Sequence, residues 1–213
     1  MHAATWAIQL TKSLEEPKGI SVGADSAERG ASAEVSAEWQ LVQRAQQYDE
    51  AAIAVLYQTY HPKIYNYAFL HMGDVQAAED LASDVMLKML ESIRKYSYRG
   101  LPFGAWVFRI ARNRLIDTHR RRKRRGEVEL SDTLASVLAS PQALAERALD
   151  RGQLQLALRY LTDEQRQVIV LKFIEGFDNR SIGKVMGRSE GAIKSLQHRA
   201  LGALRRILHQ GEI

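Results

Sequence analysis

NRSIGKVMGRSEGAIKSLQHRA, residues 179–200, decides the fold. A short helical pattern runs to Gly187, and a second pattern starts after Ser189, a hydroxyl residue suited to cap a helix N-terminus. At 100° per residue the second helix puts Ile193, Leu196, Ala200, Leu204 and Ile207 on one face. Gly191, Lys194, Ser195 and His198 fall on the opposite side of its first turns. Two helices around a glycine turn, with a polar first half on the second, match the helix-turn-helix pattern. In a major groove such a lysine reaches guanine O6 or N7, and serine and histidine hydrogen-bond base edges. Gly191 lets backbone approach a phosphate closely, and Arg180, Arg188 and Arg199 stand where phosphate contacts are expected. The competing reading is an ordinary pair of helices whose polar face is merely solvated.

The rest of the chain narrows the choice. Its 213 residues hold enough hydrophobic side chains, 46%, for one large or two small cores. Apolar residues recur at helical spacing, which predicts an all-α protein. With no cysteine, the sequence has no disulfide, no thiolate metal site and no cysteine nucleophile, as fits a reducing compartment. No run of about 18 apolar residues is present to span a membrane, and the first residues lack the features of a secretory leader. A cytoplasmic protein is expected.

Charge is distributed in blocks. Residues 99–125 carry ten Lys or Arg against one Asp, and residues 178–213 carry seven against three acidic residues. Residues 126–150 and 74–91 each sum to −4. Two basic segments separated by an acidic one predict two contacts with a polyanion.

The elements follow from periodicity and punctuation. Residues 1–37 are poor in large apolar side chains and are expected to be a disordered extension. Helices are expected at about 49–72, bent at Pro62, at about 75–95 and at about 103–124. Together these make a first domain over 38–125. Residues 126–140 read as a flexible linker. The second domain, 141–213, is expected to hold a helix to about Tyr160, one from Thr162 to Gly176, and the helix-turn-helix.

The helix FGAWVFRIARNRLIDTHRRRKR, 103–124, is the second basic element. Its wheel puts Phe103, Trp106, Val107 and Ile110 on the buried arc, with Arg109, Arg112, Asn113 and Arg120 on the other side. Cations favour a helix C-terminus, but that effect fades within a turn, and the run from Arg120 to Arg125 exceeds it. Phosphate binding accounts for the excess. The loop before it carries Tyr96, Tyr98 and Arg99, aromatic and basic groups of the kind on which single-stranded bases stack. In the helix at 75–95, Asp80, Asp84, Leu87 and Glu91 form an acidic stripe, well away from the core stripe of Leu81, Val85, Met89 and Ile93. Such a stripe is either solvated or a docking face for a basic partner.

AEDLASDVMLKMLESI, then YSYRG, then the 103–124 helix, then LTDEQRQVIVLKFIEGF running into the opening stretch, resemble a bacterial extracytoplasmic-function (ECF) sigma factor over about residues 38–209. The resemblance implies two all-α domains joined by a linker, sigma region 2 and sigma region 4. It implies a protein that binds core RNA polymerase, directs it to promoters and helps melt the −10 element without ATP. Asp80, Leu81, Asp84 and Met86, with Leu87 and Glu91 of the same helix, would then face the β′ clamp helices of the polymerase. Asn113 would capture a flipped base of the −10 element in a pocket lined by Tyr98, with Arg99, Arg109, Arg112 and Arg120 on the surrounding strand. Arg188, Ser189, Gly191, Lys194, Ser195, His198 and Arg199 would serve the −35 element. An anti-sigma partner is implied as well.

The rival reading is a helix-turn-helix regulator that binds duplex DNA and never touches polymerase. It explains 178–209 and leaves the acidic stripe, the aromatic loop and Asn113 without a role. An enzyme is not expected: metal-ligand spacing, a phosphate-cradling glycine loop and a clustered nucleophile are all missing from the sequence, and the six histidines are scattered. No metal and no cofactor are expected.

Overall fold

A computed structural model describes residues 37–98, 100–124 and 156–210. Among them every regular element is helical: α1 (37–46), α2 (Glu50–Met72), α3 (Val75–Ser92) with a 3-10 turn Ile93–Lys95, α4 (Phe103–Arg124), α5 (156–159), α6 (Asp163–Ile169), α7 (Asn179–Met186) and α8 (Glu190–Gln210). The predicted extension, the linker, Arg99, Arg125 and most of the helix expected up to Tyr160 lie outside the described residues.

Local chemistry sets the boundaries. The Asp74 carboxylate accepts the Ala77 N–H and starts α3 (2.6 Å). Thr162 and Gln165 form a reciprocal capping box at α6, which satisfies two amides that would otherwise lack partners. α2 continues through Pro62, which is exposed, so the helix forfeits one hydrogen bond there without ending. After α6 the chain widens to a π-helical segment, Val170–Ile174, in which the Glu175 N–H reaches the Val170 carbonyl five residues back. Sequence periodicity did not anticipate that widening.

Helices α1–α4 form an N-terminal unit around Leu56, Ile64, Tyr67, Leu81, Val85, Met89 and Val107, and α5–α8 form a C-terminal unit around Leu158, Val168, Leu171, Ile182, Ile193 and Ala200. The predicted core stripe of α3 is buried throughout. On α4 the wheel needs correction. Trp106 and Ile110 are only half-buried, whereas Phe108 and Leu115 are buried. The reason is a second neighbour: α4 packs on α3 and also on α7, so two of its faces are covered. The buried side chains of both units form one continuous apolar cluster.

Glu38 joins distant parts of the N-terminal unit. Its carboxylate accepts the Tyr60 hydroxyl and, at 2.9 Å, the Phe103 N–H at the start of α4. Burial, with Glu38 beside it, raises the Tyr60 phenol well above its ordinary range, so it stays a hydrogen-bond donor. Gln46 donates to the Ile93 and Tyr96 carbonyls and pins the segment leading to α4.

Candidate nucleic-acid and polymerase interfaces

The helix-turn-helix is built from the turn outward. Asp178 caps α7 by accepting the Ser181 N–H at 2.7 Å. Burial opposes its charge, but the Ser181 hydrogen bonds prevail and hold the carboxyl below its usual range. Gly187 ends the helix at φ +66°, a left-handed conformation that favours glycine. The Arg188 N–H then returns to the Gly183 carbonyl at 2.9 Å. The turn closes so tightly that a Cβ on Gly183 would stand 2.7 Å from the Arg188 carbonyl oxygen.

Ser189 accepts the Ala192 N–H at 3.3 Å and caps α8. That hydroxyl therefore fixes where α8 begins. Ile193, Leu196, Ala200 and Leu204 are buried against the unit, and Gly191, Lys194, Ser195, His198 and Arg199 face solvent. Ile207 has no described side chain. Lys194 pairs with Glu190 one turn earlier at 3.0 Å, and Arg188 with Glu164 of α6. Both pairs are well exposed, so each is worth little and exchanges readily for a phosphate or base edge. Arg199 reaches the Ser195 carbonyl at 3.4 Å.

On the N-terminal unit, Asn113 is exposed and lines a concave site of about 450 Å³ with Trp106, Ile110, Tyr96, Lys88 and Lys95. Tyr96 is held by Phe103 and Trp106, each with ring centroids 5.0 Å away. Burial, with Glu38 and Tyr98 nearby, pushes the Tyr96 phenol up to about 12. An amide able to read a base edge thus stands beside an indole and a phenol able to stack on its face.

Three of the residues expected around this site stand elsewhere. Tyr98 is 42% exposed, leans on Trp39 at 5.8 Å and does not line the cavity. Tyr96 takes that place, because the 3-10 turn directs it inward onto Phe103. Arg109 is exposed but lines a neighbouring groove, and half-buried Arg112 points its Nε at Gln167 of the C-terminal unit. Arg120 is exposed, and its carbonyl accepts from Arg124. Trp106 was placed in the core by the wheel, and Lys88 and Lys95 carried no sequence signal. Their convergence depends on how α3, the 3-10 turn and α4 cross.

The acidic ridge of α3 presents Asp80, Asp84, Leu87 and Glu91, with Leu87 58% exposed. Leu81 and Met86, expected on the same docking face, are instead 4% and 1% exposed and pack inward beneath the ridge. The charge is partly compensated, by Lys88 on Glu91 at 3.0 Å and by Arg114 near Asp84 at 3.8 Å. Among the described residues no cluster of metal-ligating side chains occurs, and no helix is long and apolar enough to cross a membrane.

Comparison with known proteins gives this geometry a family. A model of sigma-70 region 2 matches residues 56–125, and one of sigma-70 region 4 matches residues 151–204. The chain is 36% identical over 171 residues to the ECF RNA polymerase sigma factor BldN of Streptomyces coelicolor, covering 79% of this chain and 65% of that one. It therefore spans just under two thirds of that relative's length. It is 30% identical over 162 residues to the ECF RNA polymerase sigma factor SigL of Mycobacterium tuberculosis, covering 76% of this chain and 92% of that one. Among solved structures, CnrH in complex with the cytosolic domain of CnrY superposes with a TM-score of 0.65 at 22% identity, over 82% of this chain and 99% of that one. The sigma factor RpoE of Bartonella quintana, in complex with the anti-sigma factor NepR, gives 0.61 at 26% identity, over 73% and 96%. This chain belongs to the ECF RNA polymerase sigma factors, with region 2 followed by region 4.

Proposed function

We propose that this ECF sigma factor directs core RNA polymerase to promoters through three separate surfaces. The exposed face of α8, with Lys194, Ser195, His198 and Arg199, reads duplex at the −35 element. The cavity at Asn113, Trp106 and Tyr96 takes a base of the −10 element that has left the stack. Unstacking costs a few kcal/mol, which aromatic stacking of about 1–3 kcal/mol per base and a polar contact offset. The ridge of Asp80, Asp84, Leu87 and Glu91 docks on polymerase, with acidic groups for steering and an exposed leucine for burial. The work takes place in the cytoplasm, where the polymerase is, and an anti-sigma partner is expected because the RpoE relative is found with one.

The observation that carries this reading is the amide of Asn113 set beside two aromatic rings in one concave site. A regulator that reads only duplex has no use for such a site. Co-purification separates the two. The chain should form a stable complex with core polymerase in the absence of DNA. Binding to duplex alone, with no affinity for polymerase, would favour the regulator.

A further inference from the structure

We propose that Tyr48, in the turn between α1 and α2, is an aromatic anchor that extends the polymerase-docking ridge of α3 past Glu91. The inference rests on the reading of the chain as a polymerase-binding promoter factor and adds a contact residue to it.

The first observation is a backbone conformation at odds with the residue that adopts it. Among the described residues, Gly73, Gly100, Gly176 and Gly187 have positive φ, and the one other residue that does is Tyr48, at +62°. A side chain there crowds the neighbouring carbonyl, which is why such positions favour glycine. The turn demands the conformation. The Tyr48 N–H returns to the Ala45 carbonyl at 3.0 Å and the Asp49 N–H to the Arg44 carbonyl at 3.2 Å, the pairing by which helices end on a left-handed residue. At the ends of α2 and α7 that place is taken by Gly73 and Gly187.

The ring does little for the fold in return. It is 62% exposed, and it packs over the Arg94 guanidinium at 5.5 Å from the ring centroid. At an exposed site such a contact returns no more than the left-handed backbone costs. Other groups hold the turn in place. Gln46 donates to the Ile93 and Tyr96 carbonyls at 2.9 and 2.8 Å, and Arg44 Nε donates to the Asp49 carboxylate at 2.8 Å. A glycine would serve the fold at least as well, so the use of the ring lies outside the fold.

Its position says where. Exposed Arg94 stands three residues beyond Glu91 and seven beyond Leu87, which continues the outer stripe of Asp80, Asp84, Leu87 and Glu91 by one turn. The partner suited to an acidic ridge is basic, and a bare Arg94 would oppose it. The Tyr48 ring covers one face of that cation and offers an aromatic surface in its place. Leu87 and Tyr48 thus supply exposed apolar surface on either side of Glu91. Tyrosine is enriched among the residues that dominate binding energy, and one held on a fixed turn loses little freedom on docking.

The full chain, labelled at its N-terminus and titrated with purified core polymerase, tests this by fluorescence anisotropy. Tyr48→Gly should melt no lower than wild type, yet bind core polymerase at least about fivefold more weakly. Tyr48→Ala keeps the left-handed strain and also loses the ring, so it should melt below Tyr48→Gly and lose the same affinity. Stability then follows the backbone, and affinity follows the ring. Equal core affinity of Tyr48→Gly and wild type overturns the inference. So does a Tyr48→Gly chain that melts well below wild type, which gives the ring a structural role. A wild-type chain that sediments as a dimer, and as a monomer with Tyr48→Gly, puts a second copy on the ring and also overturns it. If wild type itself does not bind core polymerase, the promoter-factor reading falls and this inference with it. Tight binding by both wild type and Tyr48→Gly removes this inference alone.

Discussion

The Arg188 carbonyl oxygen lies so close to Gly183 that a Cβ there would meet it at 2.7 Å, while the Arg188 N–H bonds to the Gly183 carbonyl at 2.9 Å. This double contact sets where α8 leaves the turn, and hence where Lys194 and His198 point. Gly183→Ala would gain up to about 1 kcal/mol of helix propensity. The obstruction is backbone and cannot swing away, so the clash wins. We expect a net loss of about 1–3 kcal/mol, read as a lower midpoint in urea, together with weaker −35 binding. An unchanged midpoint would show that the turn relaxes freely.

Asn113→Ala should impair promoter melting while leaving polymerase binding intact, because the exposed amide supports none of the packing around it. Permanganate reactivity of unpaired thymines measures melting directly. Trp106→Ala should share the defect through lost stacking, on the order of 1–3 kcal/mol. Normal melting by Asn113→Ala at a cognate promoter would remove the assigned role.

Lys194→Ala should weaken −35 recognition by about 1–3 kcal/mol, the scale of one good base contact. The exposed pair with Glu190 has little value of its own, so fold stability should barely change. Competition between the cognate element and single-base variants is the measurement. An equal loss on every sequence would mark Lys194 as a phosphate contact.

Leu87→Asp should lower affinity for core polymerase at least tenfold without changing the melting temperature, since the side chain is exposed in the free chain. Leu81→Ala should do the opposite. It empties a buried position and costs about 2–5 kcal/mol of stability. Equal effects of both on folding would contradict the ridge assignment.

Glu175 sits near Lys63, and burial raises its carboxyl to about 7 while the lysine pulls the other way. A folded value above the ordinary 4.5 means that the unfolded chain ionises first. Stability therefore falls as pH rises past 4.5, and the loss is complete above about 7. Glu175→Gln should melt a few degrees higher than wild type near pH 8, a gain on the order of 1–3 kcal/mol, and the gap should close near pH 4.5. A gap of the same size at both pH values would point to packing instead of ionisation.

The legible part of this molecule was local. Asp178, Thr162 and Ser189 announce helix starts by residue type, and all three accept the expected amides. Ile193, Leu196, Ala200 and Leu204 announce a buried face by spacing, and the exposure of Lys194 and His198 follows from the same wheel. Resemblance carried the order of the two regions. Tertiary facts were out of reach. Trp106 reads as core on a wheel of α4, yet it forms a wall of the cavity, since no single-helix pattern reveals that a second partner, α7, claims another face. Glu38 carries no signal in the sequence, yet its carboxylate accepts the first N–H of a helix 65 residues away. Arg112 shares its face with Asn113 on the wheel, and only the packing of the two units shows that it is engaged with Gln167.

The central claim is that the two DNA-facing surfaces and the acidic ridge belong to one initiation factor. Run-off transcription from a promoter library, with purified chain and purified core polymerase, tests it most directly. The account predicts transcripts from a restricted set of templates sharing two short elements at fixed spacing, dependent on both Asn113 and Lys194. Transcription no greater than with core polymerase alone, on every template, would contradict it.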